Sequence, residues 1–152
     1  MLKHLDYLDG FDGGATGRAI SAFSRIFEAA IIDDSMQLVW ALIGIESLYV
    51  KGKTSIVEQV RDKVQAFLGQ PETYKKKLGS MYEFRSRFIH GDLDFIPLYL
   101  VGDARSVVER YEIEQTEAVD MAIAILVASL QELILRDWSG LDFTYTVSNI
   151  AN

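Results

Sequence analysis

The segment Arg85-Ser86-Arg87-Phe88-Ile89-His90-Gly91 concentrates the residue types best suited to chemistry on a phosphate. A guanidinium grips phosphate oxygens through parallel N–H groups, and an imidazole accepts and returns a proton. Five positions separate Arg85 from His90, so an ideal helix sets them roughly 140° apart. They reach one ligand only where the helix end turns, as Gly91 permits. Spacing alone therefore does not define a site. A protonated imidazole at a helix C-terminus gains about 0.3–1 kcal/mol from the helix dipole, which gives position 90 a local logic of its own. The second histidine, His4, carries no reading beyond exposure to solvent.

Two charges interrupt apolar rows. Tyr74, Leu78, Met81, Arg85 and Phe88 follow steps of four, three, four and three, one stripe of a helix with Arg85 inside it. Val39, Ile43, Glu46 and Val50 form a second row, interrupted by Glu46. A charge removed from water without a partner is very costly, so each needs an answer. The economical answer is that Glu46 and Arg85 face each other between packed helices. A purely structural ion pair satisfies both charges, and so does a pair that also serves a ligand; both readings stay open here.

Five helices should position these residues. The first dozen residues, ending Gly10-Phe11-Asp12-Gly13-Gly14, read as an irregular lead-in, and a single helical domain is expected over 16–152. Ile20, Phe23, Phe27 and Ala30 predict a first helix over 16–32. Asp33, Asp34 and Ser35 stop it and cap a second over 35–50, closed by Gly52. Ser55 and Glu58 make a capping box for a third over 55–68, ended by Gly69 and Pro71. The fourth should run as one helix over 72–90 to Gly91, although Gly79 sits inside that span and Ser80 with Glu83 could cap a fresh start there. Phe95 to Gly102 is apolar but contains Pro97, which predicts an edge strand or packed loop within a long connection over 92–111. The fifth helix, over 114–137, is apolar nearly all round and should be the central element. Phe143 and Tyr145 of the tail are expected to cover an edge.

Composition sets the outer bounds. A chain of 152 residues fits one domain, which buries roughly 70% of its unfolded surface. The absence of cysteine excludes disulfides, thiolate catalysis and Cys-ligated zinc, and suits a reducing, cytoplasmic setting. No long apolar stretch follows Met1, so no signal peptide is expected. The most apolar run, Met121 to Leu130, falls short of the about 20 residues a membrane span needs and reads as a core helix. A net charge of −7 argues against broad, salt-driven binding to nucleic acid, and against specific DNA binding. Yet Lys75, Lys76, Lys77, Arg85 and Arg87 outnumber Glu72 and Glu83 between Glu72 and Gly91, a local basic patch able to hold a phosphate. For the three lysines, a solvated helix face is the simpler account.

Tyr82-x-x-Arg85-Ser86-x-x-Ile89-His90-Gly91 resembles the signature of HEPN domains, particularly the ApeA-like branch. Ala41-Leu42-Ile43-Gly44-Ile45-Glu46-Ser47-Leu48-Tyr49 resembles that family's earlier helix with its glutamate, and the likeness extends over roughly Gln37 to Arg136. It implies an all-α, five-helix bundle that forms a homodimer. It also implies a metal-independent endoribonuclease acting on single-stranded RNA in a defence or toxin setting, with no cofactor and no metal. Arg85 and His90 match the motif arginine and histidine as catalytic residues, Glu46 and Ser86 support them, and Arg87 and Tyr82 would contact substrate. In the resembling chemistry the histidine accepts a ribose 2′-OH proton while the arginine stabilises the phosphate; dependence on that hydroxyl makes RNA the substrate. The nuclease branches usually carry Asn, Asp or His where Ser86 stands. The alternative is a non-catalytic module for nucleotide or RNA binding, or for dimerisation. A small-ligand enzyme of another class has no supporting motif. Circular dichroism of the purified chain should give a predominantly helical spectrum; a mostly strand spectrum would overturn the fold expectation.

Overall fold

Helix-forming segments separated by glycines dominate the described parts of the chain. The computed structural model describes residues 14–29, 34–52, 55–69, 74–93 and 105–144. Within them lie α1 (Gly14–Ala29), α2 (Asp34–Tyr49), α3 (Ile56–Leu68), α4 (Tyr74–His90) and α5 (Arg105–Leu135). No strand occurs among the described residues, and the fold is an all-α bundle of five helices. Residues 1–13 of the lead-in, the Phe95–Gly102 segment and Tyr145 lie outside the described residues, as does Asp33; Gly14 and Ala15, expected in the lead-in, instead open α1.

The caps follow from side chains and glycine. Ser55 accepts a hydrogen bond from the Glu58 N–H at the start of α3, supplying one partner for the four unpaired N–H groups of a helix start. At its other end the Gly69 N–H returns to the Gln65 carbonyl at 3.0 Å. α4 runs unbroken through Gly79. It ends at Gly91, whose φ of +76° lies in the left-handed region, and the Asp92 N–H closes onto the Arg87 carbonyl at 2.9 Å. That is the bonding of a Schellman stop, which a residue without Cβ adopts most cheaply.

α5 is the element against which every other helix packs. It buries Ala118, Val119, Ala122, Ile125, Leu126, Leu130 and Leu133. By length and composition alone, Arg110–Leu135 is also long and apolar enough to cross a membrane, a broader stretch than the Met121–Leu130 run suggests. Its start differs from expectation: the helix begins at Arg105 rather than Glu114. The added turns lack Gly and Pro, and Tyr111 packs on Phe84 of α4 with ring centroids 5.8 Å apart. Tertiary contact thus extends the helix back into the end of the expected connection over 92–111.

α1 and α2 form the most extensively packed pair. Small residues on α1, Gly17, Ala19, Ala22 and Ala29, are buried there. α2 buries Leu38, Ala41, Leu42, Ile45, Leu48 and Tyr49. The row Val39–Ile43–Glu46–Val50 is therefore not the core face: Ile43 is 41% exposed. Its direction lies roughly a third of a turn from the buried one. α2 is apolar on several sides, so periodicity could not choose between them.

A lysine and a tyrosine anchor the far end of α2. Lys63 of α3 is only 5% exposed and donates to the Tyr49 carbonyl at 2.6 Å and to Gln59 Oε1 at 2.8 Å. A cation thus closes the negative end of α2, while burial, followed by the nearby Lys51 charge, pushes the Lys63 pKa down. Ser129 donates to the Ile125 carbonyl, and its Oγ stands 2.6 Å from the Tyr49 hydroxyl, which donates to it. Burial raises the Tyr49 phenol to about 12. Phe143 folds back from the tail, its ring 6.0 Å from that of Tyr49, and so covers this edge.

Gly44 is where α2 approaches α5 most tightly. A Cβ there would stand 2.8 Å from Leu126 Cδ2 and 2.9 Å from Cδ1. Leu126 is fully buried, so it has little room to give way. Gly44→Val should lower stability by about 1–3 kcal/mol in urea denaturation. Combined with Leu126→Ala, the loss should fall short of the sum of the two single losses, because the second change makes room for the first. Strict additivity would mean that the contact does not set the helix separation.

Candidate functional site

Arg85 lies on the same side of α4 as Leu78, Met81 and Tyr82, all of which are buried. Toward the C-terminus of α4 the cover thins. Arg85 is 29% exposed by side chain, and Ile89, one turn further on the same face, is 53% exposed. On α2, Glu46 is 23% exposed and stands at the margin of the core face, one turn from the exposed Ile43. The sequence-based pairing of Glu46 with Arg85 appears as a half-buried ion pair, with Arg85 Nη2 at 3.2 Å from Glu46 Oε1.

This contact holds by charge more than by hydrogen bonding. Glu46 Oε1 is shielded from water yet accepts no hydrogen bond among the described residues. Burial accordingly pushes the Glu46 carboxyl above its ordinary 4.5, and the attraction of Arg85 recovers only part of that shift. The guanidinium also lies over the Tyr82 ring, 5.9 Å from its centroid, in the range of a cation–π contact. Tyr82 is buried; its ring forms a bed for Arg85.

The remaining sequence-predicted residues separate. His90 is exposed at the end of α4, and among the described residues no hydrogen bond or ion pair joins it to Arg85. Ser86 is exposed between the two arginines. Arg87 points to another side of α4, where its Nη1 meets Glu114 Oε2 of α5 at 3.2 Å. Glu114 also accepts from Arg110 Nε at 3.1 Å. Burial alone would raise the Glu114 pKa, but hydrogen bonds from Arg110 and Arg87, with their charges, hold it below 4.5. The structure thus joins Arg85, Glu46 and Tyr82, leaves His90 and Ser86 beside them in solvent, and takes Arg87 elsewhere.

Sequence reasoning missed Glu114 and Lys63. Glu114 follows Arg110 by four positions, a helical ion-pair spacing; it was hidden because Arg110 fell in the expected connection while Glu114 opened the expected helix. Lys63 interrupts the buried row Val60, Val64 and Phe67 as Arg85 interrupts its own. No group of three or more metal-binding side chains converges among the described residues. In comparisons with known proteins, no family model matches the chain, and no curated protein or solved structure matches it either.

The two carboxylates should pull stability in opposite directions with pH. The raised Glu46 pKa means that the folded state binds a proton more tightly than the unfolded one. Its contribution is full below pH 4.5 and falls as pH rises through the folded value. The depressed Glu114 pKa contributes above pH 4.5 and is lost as pH falls through the folded value. Thermal melts across pH 3 to 8 should show Glu46→Gln flattening the profile above about pH 4.5 and Glu114→Gln flattening it below. Glu46→Ala at pH 7 should cost about 1–3 kcal/mol, less than the about 3–5 kcal/mol of a fully buried pair, because water reaches both partners. A melt unchanged by Glu46→Ala would show that the pair contributes nothing.

Proposed function

We propose that this chain is a HEPN-like domain that dimerises and cuts single-stranded RNA without a metal, using Arg85 and His90. The observation that carries this reading is the state of Arg85. It is half-buried, attracted by Glu46 and bedded on Tyr82, yet none of its N–H groups makes a hydrogen bond among the described residues. A preoriented guanidinium whose donors hydrogen-bond to none of the described residues suits a phosphate, whose oxygens accept bidentate bonds. The exposed Ile43 and Ile89, each one turn from a member of the pair, offer apolar area beside it. A second copy would cover that area and place two Arg85 and two His90 side chains at one cleft.

The chemistry needs no contact between Arg85 and His90 within one chain. The His90 imidazole accepts the proton of a ribose 2′-OH, and the 2′-oxygen attacks the adjacent phosphorus. The P–O5′ bond breaks, leaving a 2′,3′-cyclic phosphate and a 5′-hydroxyl that takes up a proton. Arg85 stabilises the charge developing on the non-bridging oxygens. The resemblance alone suggests a defence or toxin role, and the absence of cysteine suits a cytoplasmic setting. A second reading, a non-catalytic assembly or RNA-binding module, is favoured by the separation of Arg85 from His90 and by the net charge of −7.

Purified protein should scatter light as a dimer at micromolar concentration and cleave single-stranded RNA in EDTA to cyclic-phosphate ends. His90→Ala should fold normally, because the side chain is exposed, and should lose about 10²–10⁴-fold in rate. Equal cleavage by the two proteins would refute the catalytic assignment. A wild-type dimer inert toward varied RNAs would assign the module instead.

A further inference from the structure

On the side of α4 away from Glu46, α4 and α5 leave a groove of about 700 Å³. The helices run antiparallel there, since Arg87 faces Glu114 while the other end of the groove is lined by Lys76, Lys77 and Ala124. From Lys76 to Arg87 the α4 wall is ~16 Å long at 1.5 Å per residue, about three helical turns. Ala118, Met121 and Ala124 form an apolar floor on the α5 side, with Met81 and Phe84 below. Small alanines keep the trough open, and methionine adapts its shape to what enters.

The two walls differ in sign. The α4 wall presents Lys76, Lys77 and Arg87 against Glu83, and the α5 wall presents Glu114, Glu117 and Asp120 against Arg110. Arg87, Arg110 and Glu114 satisfy one another at one end. Lys76, Lys77, Glu117 and Asp120 make no ion pair among the described residues. Opposed charges thus face each other across an apolar trough without closing it.

The geometry points to a docking site for an amphipathic helix of a partner protein, with its apolar face on the Ala118–Met121–Ala124 floor and flanks of opposite charge. An acidic flank complements the α4 wall and a basic flank the α5 wall. The length suits an elongated occupant of about three turns rather than a compact small molecule. Nucleic acid fits poorly, because one whole wall would repel phosphate. The site lies apart from Arg85 and Glu46, and its occupation is independent of RNA cleavage.

The test uses the full chain and three labelled helical peptides sharing one leucine face. The first carries glutamates on one flank and lysines on the other, the second only lysines, the third only glutamates. Fluorescence anisotropy should show saturable binding of the mixed peptide, tighter than either uniform peptide. Methyl spectra of ¹³C-methionine protein should shift at Met121 and stay constant at Met36. The exposed Lys76→Glu/Lys77→Glu pair and Asp120→Lys should each weaken binding about tenfold while leaving the circular dichroism unchanged. Equal binding of all three peptides, or a silent Met121 methyl, would overturn the proposal. So would a Met121 shift produced by single-stranded RNA, or one that grows with protein concentration alone, the latter assigning the groove to a second copy of this chain.

Discussion

A helix with apolar side chains on more than one face needs cover from more than one neighbour, and α5 imposes that demand on the rest of the bundle. Ala122 and Leu126 are fully buried, and Val119, Ile125 and Leu133 nearly so. Four other helices share the cover. Apolar burial is non-directional, so the demand does not itself say which helix lies where. The directional choices come from shape: Gly44 lets α2 close on Leu126, and the α1 alanines let α1 close on α2.

Polar side chains enter this packing where a backbone end or a neighbouring hydroxyl can receive them. Lys63 is tolerated inside because the free Tyr49 carbonyl and Gln59 accept from it. Ser129 is tolerated because its hydroxyl bonds the Ile125 carbonyl and receives Tyr49. These networks are complete, as burial requires. The Glu46–Arg85 pair is different in kind. It is half-wet, close in distance and loose in hydrogen bonding, with Glu46 Oε1 accepting no bond among the described residues. A pair built only for stability would satisfy both partners. Among the described residues the Arg85 guanidinium makes an ion pair but no hydrogen bond, which is why the proposed chemistry is centred on it.

α4 borders both proposed surfaces. Its residues alternate between sides: Arg85 meets α2, Arg87 meets α5, and Ser86 between them faces solvent. One helix therefore separates the proposed phosphate contact from the proposed peptide groove, and a substitution on one side need not disturb the other. The Schellman stop at Gly91 completes the arrangement by ending α4 where His90 remains exposed.

Helix existence was legible in the sequence because glycines, capping serines and apolar periodicity act locally. The five expected segments correspond to α1 through α5, and Ser55, Gly69 and Gly91 act at their ends as their conformational preferences dictate. The Glu46–Arg85 partnership was also legible, because two misplaced charges in separate rows call for each other. The true inward face of α2 was not. An apolar surface on several sides offers no single phase, and packing against α1 and α5, with Leu126 close on Gly44, decides it. The early start of α5 was hidden for a related reason: its first turns carry charges that look solvated until Phe84 supplies a surface for Tyr111 and Arg87 a partner for Glu114. Local chemistry set which segments are helices; which faces meet, and hence that Arg85 and Arg87 serve opposite sides, depended on shape complementarity between residues distant in the chain.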